Sequence, residues 1–266
     1  MLKIDRVYIK KAFAEYTDKY DSNDGKIKLK IDHTYRVADF CDCIAESLCL
    51  NDDDKDLAWA IGMLHDIGRF EQVKRFGTFM DADSVDHAQF GADLLFDENL
   101  IQMFLPESKT VMGKDSDAEL HLMELAIREH NKLKIRERIS KREELFCNII
   151  RDADKIDILR VNVETPIEVI YNVSTEELRS GAVADAVMKN FYEEHCIPRS
   201  LRESAVDNIV GHVSLVYELI FPISLKLVKE QGYLEQLMNF PSDNEKTLLQ
   251  FEEIRAKMHR YIKERV

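Results

Sequence analysis

Hydrophobic positions recur every three to four residues along most of the chain, which is the period of α-helices that bury one face. In the N-terminal part this pattern predicts a series of helices separated by polar turns. Their predicted ranges are about 5–20, 32–49, 55–67, a helix capped by Ser84, 118–132 and 144–161. The stretch 55–67 is apolar nearly all round, so we expect it to be the buried centre of the fold and to end at Gly68.

A second group of helices is predicted after Pro166, at about 174–194, 201–239 and 242–265. The segments 69–83 and 106–117 carry charges, glycine or proline and are predicted as irregular connections. A weak strand pattern is confined to Ile27–Leu29. We therefore predict an all-α protein, with a helical core and its N-terminal helix over residues 1–165. Residues 166–266 are predicted to form a helical extension packed on that core, with a homodimer interface as the alternative use of its apolar faces.

The composition of the chain limits the kinds of molecule that we expect it to bind. The net charge of −13 argues against a nucleic-acid polymer, whose backbone requires a surplus of basic side chains, but a local positive site could still bind a small phosphorylated ligand. No apolar stretch is long enough to span a bilayer, so no membrane partner is expected. Five cysteines lack the spacing of a zinc site or redox pair and are expected to be free thiols. These features predict a cytoplasmic protein.

The chemistry of the chain is concentrated in a His-Asp pair, His65-Asp66, that closes the central apolar helix. Further histidines and aspartates stand on both sides of it, in the order His33, His65-Asp66, His87, His130 and Asp152 or Asp154. Imidazole and carboxylate are donors typical of iron, manganese, zinc or cobalt sites. Neighbouring side chains on a helix project about 100° apart, so the pair can reach one ion only near the helix end. That end carries the negative pole of the helix dipole, which favours a cation.

Each of these residues also has a purely structural interpretation. His87 or His130 taken alone would be a hydrogen-bonded histidine, and Asp66 alone could cap the turn at Gly68. The joint pattern favours a metal, because a buried carboxylate beside an apolar helix requires a compensating cation.

The order H…HD…H…H…D resembles the HD-domain metal-dependent phosphohydrolase superfamily, over about residues 28–162. The resemblance implies metal ligands at His33, His65, Asp66 and an aspartate of the segment 152–157. Asp154 is the expected ligand of that segment. Asp152 would not bind the ion itself but would stabilise the residues that do.

Two further segments resemble the two-metal branch of HD-GYP phosphodiesterases. They are His87-Ala88-Gln89-Phe90-Gly91 and Glu129-His130-Asn131. This resemblance implies two divalent ions, with His87 and His130 as additional ligands and Asp66 as the bridging carboxylate. Asn131 replaces a histidine of that branch and no GYP tripeptide follows, so the resemblance does not extend to cyclic di-GMP as the substrate.

The resemblance implies hydrolysis of a small phosphoester, a nucleotide or cyclic nucleotide, by a metal-activated water. Asp66, Arg69 and Lys155 are the expected catalytic residues. Arg36, Arg69 and Lys155 are expected to bind phosphate, with a solvated surface charge as the alternative for each. The ligand set does not distinguish Fe, Mn, Co, Mg or Zn. A di-iron oxygenase acting on a small polar substrate is the alternative function, because inositol oxygenase has a similar scaffold.

Overall fold

The computed structural model describes residues 2–106, 116–166 and 173–266, and all regular structure in these ranges is helical, without a strand. This confirms the predicted all-α class. Within the same ranges, no helix combines the length and apolar character needed to cross a membrane. The chain divides into two compact units, Met1–Asp154 and Lys155–Val266. The predicted domain division after residue 165 stays a prediction.

The first unit is built around the helix that ends just before the His-Asp pair. Its helices, in chain order, are α1 (Arg6–Thr17), α2 (Gly25–Ser47), α3 (Asp52–Leu64), α4 (Gly68–Phe76), α5 (His87–Ala92), α6 (Ile101–Phe104), α7 (Ser116–Glu129) and the part of α8 (Lys141–Glu164) up to Asp154, since α8 continues into the second unit. Helix α3 buries every residue from Leu57 to Leu64, as its continuous apolar pattern predicts. It packs along α2 and also contacts α1 and α7.

Several local predictions for the first unit are wrong, each for an identifiable reason. The segment 69–83, predicted as a loop, contains α4, because Phe70 and Val73 are buried three residues apart on one helical face. Gly68 does not end α3: the helix stops at Leu64, a turn follows, and Gly68 is the first residue of α4. The weak strand pattern at Ile27–Leu29 lies inside α2.

The helix that carries His87 also begins later than predicted. Its N-cap is Asp86 rather than Ser84, since the Asp86 carboxylate accepts hydrogen bonds from the backbone N–H groups of Ala88 and Gln89. His87 is therefore the first residue of α5. The predicted connection 106–117 lies outside the described residues except for its two ends.

The second unit holds shorter helices than the sequence predicts. They are α9 (Thr175–Ser180), α10 (Asp185–Tyr192), α11 (Ala205–Val213), α12 (Pro222–Gln231), α13 (Tyr233–Met238) and α14 (Glu245–Lys263). The predicted helix 174–194 is interrupted at residues 181–184, and the predicted helix 201–239 is interrupted by a 3-10 segment, Pro222 and Gly232. Phe191 and Phe251 are fully buried in this unit.

Candidate metal centre

Helices α2 and α3 bring three of the predicted ligands together. His33 lies on the buried face of α2, while His65 caps the C-terminus of α3 and Asp66 follows in the turn. Because the helix ends at this point, both members of the His-Asp pair can point to the same place. The Nε2 atoms of His33 and His65 each lie 3.5 Å from Oδ2 of Asp66, and all three side chains are buried.

The other carboxylate oxygen of Asp66 faces a second pair of histidines. Its Oδ1 atom lies 3.5 Å from Nε2 of His87 and 3.8 Å from Nε2 of His130. Within each of the two groups, one donor atom per residue lies within 4.8 Å of the others. Asp66 therefore stands between two sets of donors, with one oxygen directed at each. We call them the first set (His33, His65, Asp66) and the second set (Asp66, His87, His130).

Helix α8 adds a carboxylate to the first set. Oδ1 of Asp154 lies 3.2 Å from Nε2 of His33 and 3.9 Å from Nε2 of His65. Asp152, two residues earlier on the same helix, is fully buried. The assignment of Asp154 as the ligand stays a prediction, and its distances to both histidines support it.

The orientation of two imidazoles is fixed by main-chain carbonyls. Nδ1 of His65 lies 2.7 Å from the carbonyl oxygen of Gly62, and Nδ1 of His130 lies 2.7 Å from that of Ile127. A carbonyl oxygen can only accept, so the proton of each neutral ring is on Nδ1. The Nε2 lone pairs are thereby directed toward Asp66.

His87 is oriented by a side chain instead. Its Nδ1 lies 2.6 Å from Oδ2 of Asp81, a residue of the connection between α4 and α5. The Nε2 atoms of His87 and His130 then face each other at 3.1 Å. With both Nδ1 atoms protonated, two lone pairs face each other at this distance, and Nη2 of Arg69 lies 3.3 Å from Nε2 of His87. Two facing lone pairs are a donor arrangement that suits a bound cation.

The donors fit a divalent metal ion. Two imidazole nitrogens bound at right angles to one ion at about 2.1 Å would be about 3 Å apart, close to the separation of His87 and His130. In addition, Nε2 of His65 and Oδ1 of Asp66 are buried and form no hydrogen bond within the described residues. Buried polar atoms normally have partners, so these two indicate a site for a bound ion.

Burial and charge keep the donors in their metal-binding protonation states. Burial lowers the pKa of His65 and lowers the pKa of both His87 and His130 to about 4. These rings are therefore neutral at pH 7. Burial would raise the pKa of Asp66, but the positive charge of Lys30 is the main opposing cause and holds that pKa well below its ordinary value. Asp66 is a carboxylate even in this dry setting.

Contacts between α5 and the segment after α7 hold His87 and His130 together. Asp86 accepts hydrogen bonds from Nδ2 of Asn131 at 2.8 Å and from Nζ of Lys132 at 2.5 Å. Asn131, which departs from the HD-GYP pattern, thus ties its own segment to the N-terminus of α5. Arg151 of α8 stabilises the same segment by donating hydrogen bonds to the carbonyl oxygens of residues 129, 132 and 133.

Of the predicted phosphate-binding cations, Arg69 is the one placed at the centre. Its Nη2 lies 3.3 Å from Nε2 of His87, and its Nε lies 3.5 Å from Oδ1 of Asp66. Arg36 is partly buried on α2, and Lys155 is the partly buried first residue of the second unit. Their catalytic and substrate-binding roles stay predictions.

Two residues of the metal centre were not predicted from the sequence. Lys30 forms an ion pair with Asp66, its Nζ lying 2.5 Å from Oδ2. Its spacing of three residues before His33 was a usable signal, because such residues share a helical face. Asp81 pairs with His87 and Arg69. It lies in a segment without periodicity, so no sequence pattern pointed to it.

Comparison with known proteins identifies a family for the part of the chain that carries these donors. Residues 31–159 match the family model of the HD domain, a range that contains all six predicted ligands. Neither the curated proteins nor the solved structures include a match to this chain.

Proposed function

Because the chain belongs to the HD-domain superfamily of metal-dependent phosphohydrolases, we propose that it hydrolyses a small phosphoester, a nucleotide or cyclic nucleotide. HD domains bind divalent metals, and the two sets of donors around Asp66 are candidate sites for such ions. The proposed partner is a small phosphorylated molecule rather than a nucleic-acid polymer or a membrane, in keeping with the net charge of −13. We also propose a cytoplasmic location, and a homodimer remains the alternative use of the apolar C-terminal helices.

The observation that carries this proposal is the placement of the Asp66 carboxylate. Oδ2 faces His33 and His65 at 3.5 Å, whereas Oδ1 faces His87 and His130 at 3.5 and 3.8 Å. A bridging carboxylate between two donor sets is the arrangement that a binuclear hydrolytic site requires. We propose that the first set, completed by Asp154, holds one ion and that the second set holds another.

Residues of the chain would orient the metal ligands and add positive charge to the site. Divalent ions bound here would activate a water and stabilise negative charge on the phosphoryl oxygens. The Nδ1–H groups of His65 and His130 donate to carbonyls, which keeps each Nε2 lone pair directed inward. Arg69 adds a fixed positive charge beside Asp66 and His87. Burial of the donors excludes competing water from the ligand positions.

Hydrolysis of a panel of mononucleotides, cyclic nucleotides and aryl phosphates tests the proposal. Monoester hydrolysis is measured as released inorganic phosphate, and cyclic diester hydrolysis is measured as the mononucleotide formed by ring opening. The protein would be reconstituted with manganese or iron(II), and bound metal would be counted in the same samples. We expect hydrolysis of at least one substrate class and its loss in a His65→Ala/Asp66→Ala variant. A matched control is His121→Gln, because His121 is an exposed histidine of the same unit.

A fully loaded protein that hydrolyses no member of the panel, by either measurement, would contradict the hydrolase proposal. The histidine-rich donor set would then favour the di-iron oxygenase alternative, since such ligands also hold redox-active iron. Oxygen consumption together with the electron paramagnetic resonance signal of a mixed-valence iron pair would identify that chemistry.

A further inference from the structure

Lys30 is the cation closest to the oxygen that Asp66 directs at the first set. Its Nζ lies 2.5 Å from Oδ2, whereas the Nε of Arg69 lies 3.5 Å from the other oxygen, Oδ1. Lys30 stands one turn before His33 on α2, so its side chain runs along the face of the helix that carries this ligand. With 16% of its side chain exposed, Lys30 reaches from solvent to the metal centre.

The ammonium group of Lys30 has hydrogen-bonding capacity to spare. It carries three N–H donors, and among the described residues Asp66 is its one hydrogen-bond acceptor. The ring of Phe79 lies 5.6 Å from Nζ and restrains the long side chain through a cation–π contact. An oriented cation with two remaining donors at the edge of the centre is suited to an anionic ligand.

Arg69 is much less available for the same task. Its Nη1 donates to the Gln72 side chain, the Phe79 carbonyl and the Asp81 carboxylate, at 2.7–2.8 Å in each case. Only 11% of its side chain is exposed. These contacts commit Arg69 to holding the connection between α4 and α5 in place. Lys30 lies one residue outside the range that matches the HD family, so this assignment comes from the geometry of this chain.

We propose that Lys30 is a substrate-binding residue that donates to the phosphoryl oxygens of the substrate at the first set. The proposal rests on the proposed phosphohydrolase function and names the residue that would recognise the phosphate. A divalent ion at the first set would supply the positive charge that Asp66 receives from Lys30 in this structure. The ammonium group is then available to the phosphate, which is the anion that the enzyme has to bind.

Binding of inorganic phosphate to the manganese-loaded full chain tests this assignment without relying on turnover. Calorimetry would compare the natural protein with Lys30→Met and Lys30→Gln, and metal content would be measured in each sample. The glutamine variant can still donate to Asp66 but has no charge. Loss of one charge-assisted hydrogen bond should raise the dissociation constant for phosphate roughly 10- to 100-fold, with bound metal unchanged.

Two further variants separate charge at this position from general effects. Lys30→Arg should restore most of the affinity, because it returns a cation at the same place. Lys28→Met is the matched control, since Lys28 is 68% exposed on the same helix and pairs with Asp32. It should leave phosphate binding unchanged.

Three results would overturn the assignment. Unchanged phosphate affinity in both Lys30→Met and Lys30→Gln would remove Lys30 from substrate binding while leaving the hydrolase proposal intact. Reduced metal content with unchanged affinity per loaded chain would show that Lys30 merely holds Asp66. A loaded natural protein that neither binds phosphate nor hydrolyses any member of the substrate panel would contradict both proposals together.

Discussion

Gly68 and Gly91 bring two backbones of the metal centre into direct contact. A Cβ atom added to Gly68 would lie 2.7 Å from the nitrogen of Gly91 and 2.7 Å from the carbonyl oxygen of His87. Gly68 begins α4 just after the His-Asp pair, and Gly91 lies on α5, whose first residue is His87. This close approach sets how near His87 comes to Asp66.

Substitution of Gly68 by alanine should therefore force the two backbones apart. We expect a loss of about 1–3 kcal/mol in the free energy of unfolding, the usual cost of overpacking, together with weaker metal binding. Urea denaturation and metal titration would measure the two effects. Gly25→Ala is the control, since a Cβ there meets nothing within 4 Å. Equal stability of the Gly68 and Gly25 variants would show that the contact relaxes without consequence.

Removal of the Asp81 carboxylate should weaken metal binding at the second set selectively. Asp81→Ala deprives Nδ1 of His87 of its partner and leaves the ring free to turn, whereas Nδ1 of His65 keeps the Gly62 carbonyl as its partner. Loss of such a supporting group typically costs 10- to 100-fold in metal affinity. Metal titration should show one weakened ion per chain, with the other unaffected. Asp83→Ala, at an exposed position two residues away, should bind both ions as the natural protein does.

The stability of the metal-free protein should fall as the solution is acidified from pH 6.5 to about pH 4. Burial lowers the pKa of His87 and His130 to about 4, so the unfolded chain takes up protons first in this interval. Each histidine contributes a slope of up to about 1.4 kcal/mol per pH unit. Urea unfolding at several pH values would measure it, and His130→Gln should reduce the slope. An unaltered slope in that variant, equal to that of the exposed-site variant His121→Gln, would refute the assignment.

Arg151 should be needed for the geometry of the segment that carries His130. It is buried and donates to three carbonyl oxygens, those of residues 129, 132 and 133. Arg151→Lys keeps the charge but cannot reach all three acceptors, so we expect a loss of about 1–3 kcal/mol in stability. Chemical denaturation would measure the change. The comparison is Arg138→Lys, an exposed position in the same connection, and a similar loss there would argue against a specific role for Arg151.

The sequence predicted what depends on strong periodicity or on a compact motif. Helix α3 is apolar on all sides from Leu57 to Leu64, and its position at the centre follows from that pattern alone. The His-Asp pair marks the end of this helix, and the structure places His33, His87 and His130 around Asp66. The all-α class followed from the same helical periodicity.

What the sequence did not predict depends on contacts between distant segments. Asp81 orients His87 across a connection without regular pattern, and Arg151 fixes its segment through main-chain carbonyls that carry no sequence information. Helix α4 was not predicted because most of its residues are charged or polar, and the helical spacing rests on two buried apolar positions, Phe70 and Val73. Lys30 was not predicted because it lies before His33, the first residue of the ligand motif.

The orienting bonds of the three histidines differ in how readily mutation can remove them. His65 and His130 depend on carbonyl oxygens of the main chain, which every amino acid supplies at residues 62 and 127. His87 depends on the side chain of Asp81, which a single codon change can delete. The orientation of His65 and His130 therefore does not depend on which amino acids occupy residues 62 and 127. The orientation of His87, in contrast, can be lost through a single substitution. Relatives of this chain should therefore diverge first at the position of Asp81, which offers selection a direct way to change how the second set is used.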